Sequence, residues 1–119
     1  QGLVSASPRP IVDGVLRGMS EKYFDVTVGA GDIERTKPFP DPYLHAAKLL
    51  GVDIEQSLIF EDSPTGIAAA IASGAFVVAV PHYVEVKEEP RLKVIASFED
   101  ITIEDLEKWS EVNRRELGR

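Results

Sequence analysis

Two adjacent carboxylates, Glu61 and Asp62, directly follow an apolar run at residues 57–60 that predicts a buried strand. Neighbouring like charges repel each other unless a cation neutralises them, and Mg²⁺ in proteins prefers a small set of carboxylate oxygens. The pair therefore predicts a Mg²⁺ site at the end of a strand. A solvated turn, in which Asp62 or Ser63 caps the following helix, explains the same residues equally well.

Lys37 and the segment 5–7 are candidates for binding an anion. Lys37 precedes prolines at positions 38, 40 and 42, which stiffen the loop, so its ammonium could hold a phosphate oxygen as a fixed point charge. Ser5, Ala6 and Ser7 end an apolar run before a predicted helix and offer a hydroxyl and backbone N–H groups. A surface lysine and an ordinary N-cap at Ser7 are the simpler interpretations of each feature alone.

Apolar periodicity predicts strands that alternate with helices along the whole chain. Strands are expected to end at Val4, Phe60 and Val80, with further strands at residues 23–28 and 94–96. Asp41 is expected to cap the second helix, and glycines at 51 and 74 to end two helices. This order predicts an α/β fold with a mostly parallel sheet, in which ligands bind beyond the carboxyl ends of the strands.

Length and composition exclude several classes of protein. The 119 residues suffice for one domain, and 13 basic against 20 acidic residues give a net charge of −7, which opposes a general nucleic-acid coat. The chain has no cysteine for disulfides, thiolate chemistry or cysteine-rich zinc sites. It has no apolar run of the ~18 residues that a membrane span needs, and no basic segment leading into an apolar run, the pattern expected of a signal peptide. We expect a cytoplasmic protein that binds neither nucleic acid nor membrane.

Three segments together resemble the haloacid dehalogenase superfamily, in its β-phosphoglucomutase-like and sugar-phosphatase branch. Residues 37–43 (KPFPDPY) are similar to the lysine motif of that branch, and residues 61–70 (EDSPTGIAAA) to its acidic motif and following helix. Ser5 matches the shorter Ser/Thr motif, and the resemblance runs from Leu3 to Val80. It implies a Rossmann-like three-layer α/β/α fold, of which residues 1–119 are a partial core domain.

The resemblance also implies a role for each matching residue. Ser5, with the backbone N–H of Ala6 beside it, would hydrogen-bond the phosphoryl group, and Lys37 would neutralise that group and steady the nucleophile. Asp62 would ligate Mg²⁺, and Glu61 would ligate it directly or through water.

Two further positions, Ser7 and Arg9, stand where members of the family can contact the rest of the substrate. For Arg9, a surface residue on the first helical turn is the alternative interpretation.

The chain also departs from the family pattern. Enzymes of this family attack phosphate with an aspartate from an Asp-x-Asp pair after a first strand, and in this branch a cap domain follows that motif. Neither precedes Ser5 in this sequence. The missing strand would lie between the strands that end at Ser5 and Asp62, and their ladder groups would otherwise stay unpaired. We therefore expect an N-terminal segment of the same protein to complete the sheet, and the chain alone to be inactive.

The expected function is a Mg²⁺-dependent phosphatase that acts through an aspartyl phosphate on a small phosphorylated metabolite, with a sugar phosphate favoured. A phosphomutase of the same branch is the first alternative, because the two activities differ mainly in the cap. A receiver-like signalling domain and a non-catalytic binding module are the others. A receiver domain needs only one helix after its lysine, whereas this chain adds two further strands and the acidic motif.

Overall fold

The computed structural model describes residues 1–19, 24–81 and 85–118. Its strands are β1 (Gly2–Pro8), β2 (Val26–Ala30), β3 (Leu58–Glu61), β4 (Phe76–Ala79) and β5 (Leu92–Val94). Its helices are α1 (Arg9–Arg17), α2 (Asp41–Leu50), α3 (Pro64–Ser73) and α4 (Ile103–Glu116). Short 3₁₀ turns at Ile54–Gln56 and Phe98–Asp100 precede β3 and α4. The predicted alternation of strands and helices is confirmed.

The strands form two small parallel sheets. β1 pairs with β2, with Val4 opposite Val28. β4 lies between β3 and β5, with Glu61 opposite Ala79 on one side and Val77 opposite Leu92 on the other. The predicted parallel α/β class is therefore confirmed, although the chain divides its strands between two sheets.

A cavity of about 600 Å³ separates β1 from β3. Leu3 and Val4 line it from one strand and Ile59 and Phe60 from the other. Within the described residues no backbone pairing joins β1 to β3. The two strands have not closed up into one sheet, and the strand expected between them stays a prediction.

The core lies on the two faces of β4, whose residues are all buried. On one face Val77 packs in a cluster with Tyr43 of α2 and Ile67 of α3. On the other face Phe76 and Val78 pack with Trp109 of α4. Helices therefore cover both faces, which gives the predicted three layers and accounts for the continuous apolar run at residues 76–80.

Two glycines end helices as predicted, while the predicted N-cap of α2 is wrong. Gly51 (φ 71°) and Gly74 (φ 90°) adopt the left-handed conformation that ends α2 and α3. Asp41 does not cap α2, because Pro40 occupies the N-cap and the Asp41 carboxylate pairs with Arg35 at 3.0 Å.

The predicted loop at residues 5–7 instead continues β1 as far as Pro8. Regular pairing with β2 runs only to Val4, and the register shifts before Pro8 meets Ala30. The segment is thus extended but locally irregular. The predicted strand at residues 23–28 corresponds to β2, and its first residue, Tyr23, lies outside the described residues.

α4 is attached to the sheet by a buried polar network. Asn113 is 2% exposed, accepts a hydrogen bond from Arg91 Nε at 2.8 Å and donates one to the carbonyl of Glu55 at 2.8 Å. Arg91 also donates to the carbonyls of Glu55 and Gly74. No helix in the described ranges is long and apolar enough to cross a membrane.

Candidate active site

The ends of β1 and β3 and the loop before α2 meet at a second cavity, of about 400 Å³. β1 contributes Ser5, the loop contributes Lys37, and the end of β3 contributes Glu61 and Asp62. The start of α3 adds Ser63 and Thr65. Residues far apart in the sequence come together here, because the irregular part of β1 after Val4 and the end of β3 lie beside the same loop.

Glu61 is a buried carboxylate, and both of its side-chain oxygens lie near hydrogen-bond donors. Its side chain is 8% exposed, and Oε1 accepts hydrogen bonds from Lys37 Nζ at 2.5 Å and from the hydroxyl of Tyr43. Oε2 lies 3.2 Å from the backbone N–H of Asp62. These donors offset the loss of water that burial imposes on the charge.

Lys37 is nearly as buried, with 11% of its side chain exposed. Besides Glu61, its Nζ approaches the carbonyl oxygen of Val4 at 3.4 Å and lies 5.2 Å from the ring centroid of Tyr43. An ammonium carries three N–H donors. Among the described residues these two acceptors use at most two of them, so one donor remains for a ligand in the cavity.

Tyr43 is a site residue that the sequence reasoning missed. The apolar spacing of α2 predicts it only as an inward-facing core residue, and it is indeed 6% exposed. Burial, together with the hydrogen bond that its hydroxyl donates to Glu61, raises the pKa of Tyr43 far above its usual value. Two signals were available: Tyr43 is the last residue of the lysine motif at 37–43, and a buried tyrosine O–H usually has a polar partner.

Asp62 is exposed at the rim of the cavity, one residue beyond the buried Glu61. Ser63 caps α3, since its Oγ accepts a hydrogen bond from the backbone N–H of Gly66 at 3.1 Å. The cap proposed as an alternative is therefore present. Glu61, however, does not belong to a solvated turn, because it is buried against Lys37.

Gly66, at the start of α3, is packed against the carboxylate of Glu61. A Cβ at position 66 would overlap all three terminal atoms of that side chain. Only glycine therefore lets α3 approach the end of β3 this closely.

Ser5 is half-buried and lines the same cavity as Lys37. The backbone of Ala6 and Ser7 belongs to β1. The side chain of Ser7 lies outside the described part of the chain, and the phosphate-binding roles of all three residues stay predictions.

Arg9 is bound within the fold at the start of α1. Its guanidinium donates to Oγ1 of Thr27 at 2.7 Å and pairs with the carboxylates of Asp32 and Asp13. The hydrogen bond from Arg9, with a second from the N–H of Gly29, holds the pKa of Asp32 below its usual value. These contacts tie α1 to β2, and a role for Arg9 at the substrate stays a prediction.

The oxygen atoms of Glu61 and Asp62 have the right chemistry for Mg²⁺, which commonly takes one or two protein carboxylates and keeps several waters. No group of three or more potential metal ligands occurs among the described residues. The pair therefore fits part of a Mg²⁺ site, and further ligands would have to come from water, substrate or another segment.

The family model for haloacid dehalogenase-like hydrolases matches residues 1–80. The chain belongs to this family. Phosphoglycolate phosphatase of Escherichia coli K12 is 40% identical over 74 residues, which cover 61% of this chain and 29% of the enzyme. This haloacid dehalogenase-like chain thus spans less than a third of that relative's length.

Solved structures of the same family share the fold of this haloacid dehalogenase-like chain. A hydrolase of family IA from Entamoeba histolytica superposes with a TM-score of 0.76 at 28% identity, over 92% of this chain and 52% of the other. The β-phosphoglucomutase of Clostridium difficile superposes with a TM-score of 0.70 at 30% identity, over 89% and 46%. These relatives confirm the branch to which the motifs pointed.

Proposed function

We propose that the protein is a phosphatase that removes the phosphoryl group from a small phosphorylated metabolite. The observation that carries the proposal is the single cavity around which Ser5, Lys37, Glu61 and Asp62 lie. A hydroxyl and an ammonium beside two carboxylates suit a phosphoryl group together with a divalent cation. The phosphatase named among the relatives supports the same reaction class.

In the proposed mechanism Lys37 and Ser5 hold the phosphoryl oxygens. The remaining N–H donor of Lys37 would offset charge on the phosphoryl group in the transition state, where most catalysis of this transfer lies. The Ser5 hydroxyl and the Ala6 N–H would fix the orientation of the group, and Ser7 and Arg9 would contact the rest of the substrate. The carboxylate of an aspartate would attack phosphorus and displace the substrate's oxygen, which the second aspartate of the Asp-x-Asp pair would protonate. Water would then attack the aspartyl phosphate, releasing inorganic phosphate and restoring the carboxylate.

Mg²⁺ is the proposed cofactor. Asp62 would ligate it from the rim, and Glu61 would ligate it directly or through water. When bound, it supplies positive charge against the phosphoryl oxygens. Among the described residues the chain offers only this carboxylate pair at the cavity, so the proposal needs further ligands from outside it.

The nucleophilic aspartate is proposed to come from an N-terminal segment of the same protein. Two observations support this. The chain spans only 29% of its phosphatase relative. The cavity between β1 and β3 is lined by both strands, so it could receive one further strand in an extended conformation. An aspartate at the end of that strand would lie beside Lys37 and Asp62.

The proposed substrate is a sugar phosphate or a molecule of similar size. A phosphomutase is kept as the second candidate, because a solved β-phosphoglucomutase superposes on most of this chain. We further propose that the protein acts in the cytoplasm without a nucleic-acid or membrane partner, in keeping with its net charge of −7.

The first experiment is to express the complete product of the gene that encodes this chain and to measure its intact mass and its hydrolysis of p-nitrophenyl phosphate. We expect the product to hydrolyse this ester only when Mg²⁺ is present. We also expect its sequence to include a second segment that carries an Asp-x-Asp pair. Lys37→Met should lower kcat by about 10²–10³, by analogy with a lost oxyanion donor. Lys48→Met, on the exposed side of α2, is the matched control and should leave the rate unchanged. A product without the Asp-x-Asp segment and without activity would overturn the proposal.

A further inference from the structure

Tyr43 contacts two of the charged side chains that the proposed mechanism uses, Glu61 and Lys37. Its hydroxyl donates to Oε1 of Glu61, and its ring centroid lies 5.2 Å from Nζ of Lys37. Its ring belongs to the core cluster around Ile59 and Ile67. Tyr43 thus links this core cluster to the Lys37–Glu61 pair at the cavity.

Oε1 of Glu61 accepts from two side chains, the Lys37 ammonium and the Tyr43 hydroxyl, while Oε2 faces the backbone N–H of Asp62. If the hydroxyl is removed, Lys37 is the one side chain left that donates to Oε1 among the described residues. The carboxylate then gains freedom to rotate, and Lys37 is drawn further toward Glu61. Both changes oppose a metal at the carboxylate and a phosphoryl group at the ammonium.

We infer that Tyr43 is a positioning residue, which orients Glu61 for the metal ion and holds Lys37 toward the cavity. The inference rests on the proposed function of this cavity. It gives a role to Tyr43, the last residue of the lysine motif at 37–43, to which the resemblance assigns none, and it places that role on the hydroxyl rather than on the ring.

Tyr43→Phe tests the inference because it removes the hydroxyl and keeps the buried ring. In the complete gene product, calorimetric titration with Mg²⁺ should show affinity about 10-fold weaker, the lower end of the range for lost outer-shell partners. The Mg²⁺ concentration that half-saturates hydrolysis should rise by the same factor, while KM for p-nitrophenyl phosphate changes less. Leu44→Ala, at an exposed neighbouring position, is the control and should leave Mg²⁺ affinity unchanged.

A double-mutant comparison distinguishes a positioning role of Tyr43 from a role in core packing alone. If Tyr43 acts through Glu61, Tyr43→Phe should weaken Mg²⁺ binding in the wild type but add little in a Glu61→Gln background. A purely structural role would lower the melting temperature in both backgrounds and leave Mg²⁺ affinity unchanged in folded protein.

The outcomes distinguish this inference from the proposed function. Equal Mg²⁺ affinity in the wild type and Tyr43→Phe overturns the inference, even if the wild type hydrolyses phosphate esters. A wild type that binds Mg²⁺ but hydrolyses no ester overturns the proposed activity, and the calorimetric difference still decides the role of Tyr43. A wild type that binds no Mg²⁺ overturns both.

Discussion

Gly66→Ala is the substitution whose outcome follows most directly from the geometry of the site. Gly66 lies in the first turn of α3 with the carboxylate of Glu61 against its backbone, and a Cβ there would overlap that carboxylate. Because Glu61 is held by Lys37 and Tyr43, it cannot move without breaking those contacts. The added methyl group therefore acts on the site rather than on the helix alone.

Two opposing effects set the change in the free energy of unfolding that Gly66→Ala causes. Alanine favours a helix over glycine by about 1 kcal/mol, which would stabilise the variant. Displacing Glu61 leaves the buried Lys37 ammonium without its carboxylate, and breaking a buried ion pair costs about 3–5 kcal/mol. The site effect is larger, so we expect Gly66→Ala to lower the free energy of unfolding by about 2–4 kcal/mol.

Urea unfolding followed by far-ultraviolet circular dichroism measures this difference. Gly14→Ala is the matched control, since Gly14 is an exposed glycine of α1 whose Cβ would come no closer than 3.7 Å to Arg17. It should gain up to about 1 kcal/mol from helix propensity. A Gly66→Ala variant that is as stable as Gly14→Ala would refute the reasoning, because it would mean that Glu61 moves aside at no cost.

Other predictions concern the contacts that position the site. The hydrogen bond from Arg9 lowers the pKa of Asp32 in the folded state below its usual value of 3.8. The Arg9–Asp32 pair therefore contributes its full stability above that pH and loses it as the pH falls through the folded-state pKa. Asp32→Asn should therefore be less stable than the wild type at pH 7, with a difference that shrinks below about pH 4, as acid titration of circular dichroism would show. Asn113→Ala should cost about 1–3 kcal/mol in urea unfolding, because it removes the acceptor of Arg91 Nε and one donor to the carbonyl of Glu55. Arg114→Ala, at the exposed next position, should change stability by less than about 0.5 kcal/mol.

Much of the fold follows from local sequence patterns. The apolar run at residues 76–80 predicts a strand covered on both faces, and β4 is buried between α2 and α3 on one side and α4 on the other. Gly51 and Gly74 end their helices because each occupies a left-handed backbone position that glycine adopts at little cost. These features depend on residues close together in the sequence.

The parts that the sequence did not predict depend on tertiary contacts. The carboxylate pair predicted a metal site but not which side chain is buried: Glu61 turns inward to Lys37, whereas Asp62 lies at the exposed rim. Tyr43 fits an apolar helix face by spacing, and only the approach of Glu61 reveals the function of its hydroxyl. Asp41 has the residue type of an N-cap, yet its ion pair with Arg35 takes precedence.

The most direct test of the central claim is a crystal structure of the complete protein with Mg²⁺ and inorganic phosphate. The account predicts that the phosphate lies in the 400 Å³ cavity, within hydrogen-bond distance of Ser5 and Lys37, with Mg²⁺ ligated by Asp62. It also predicts that an added strand pairs with both β1 and β3. Phosphate bound elsewhere while this cavity holds only water would contradict the account.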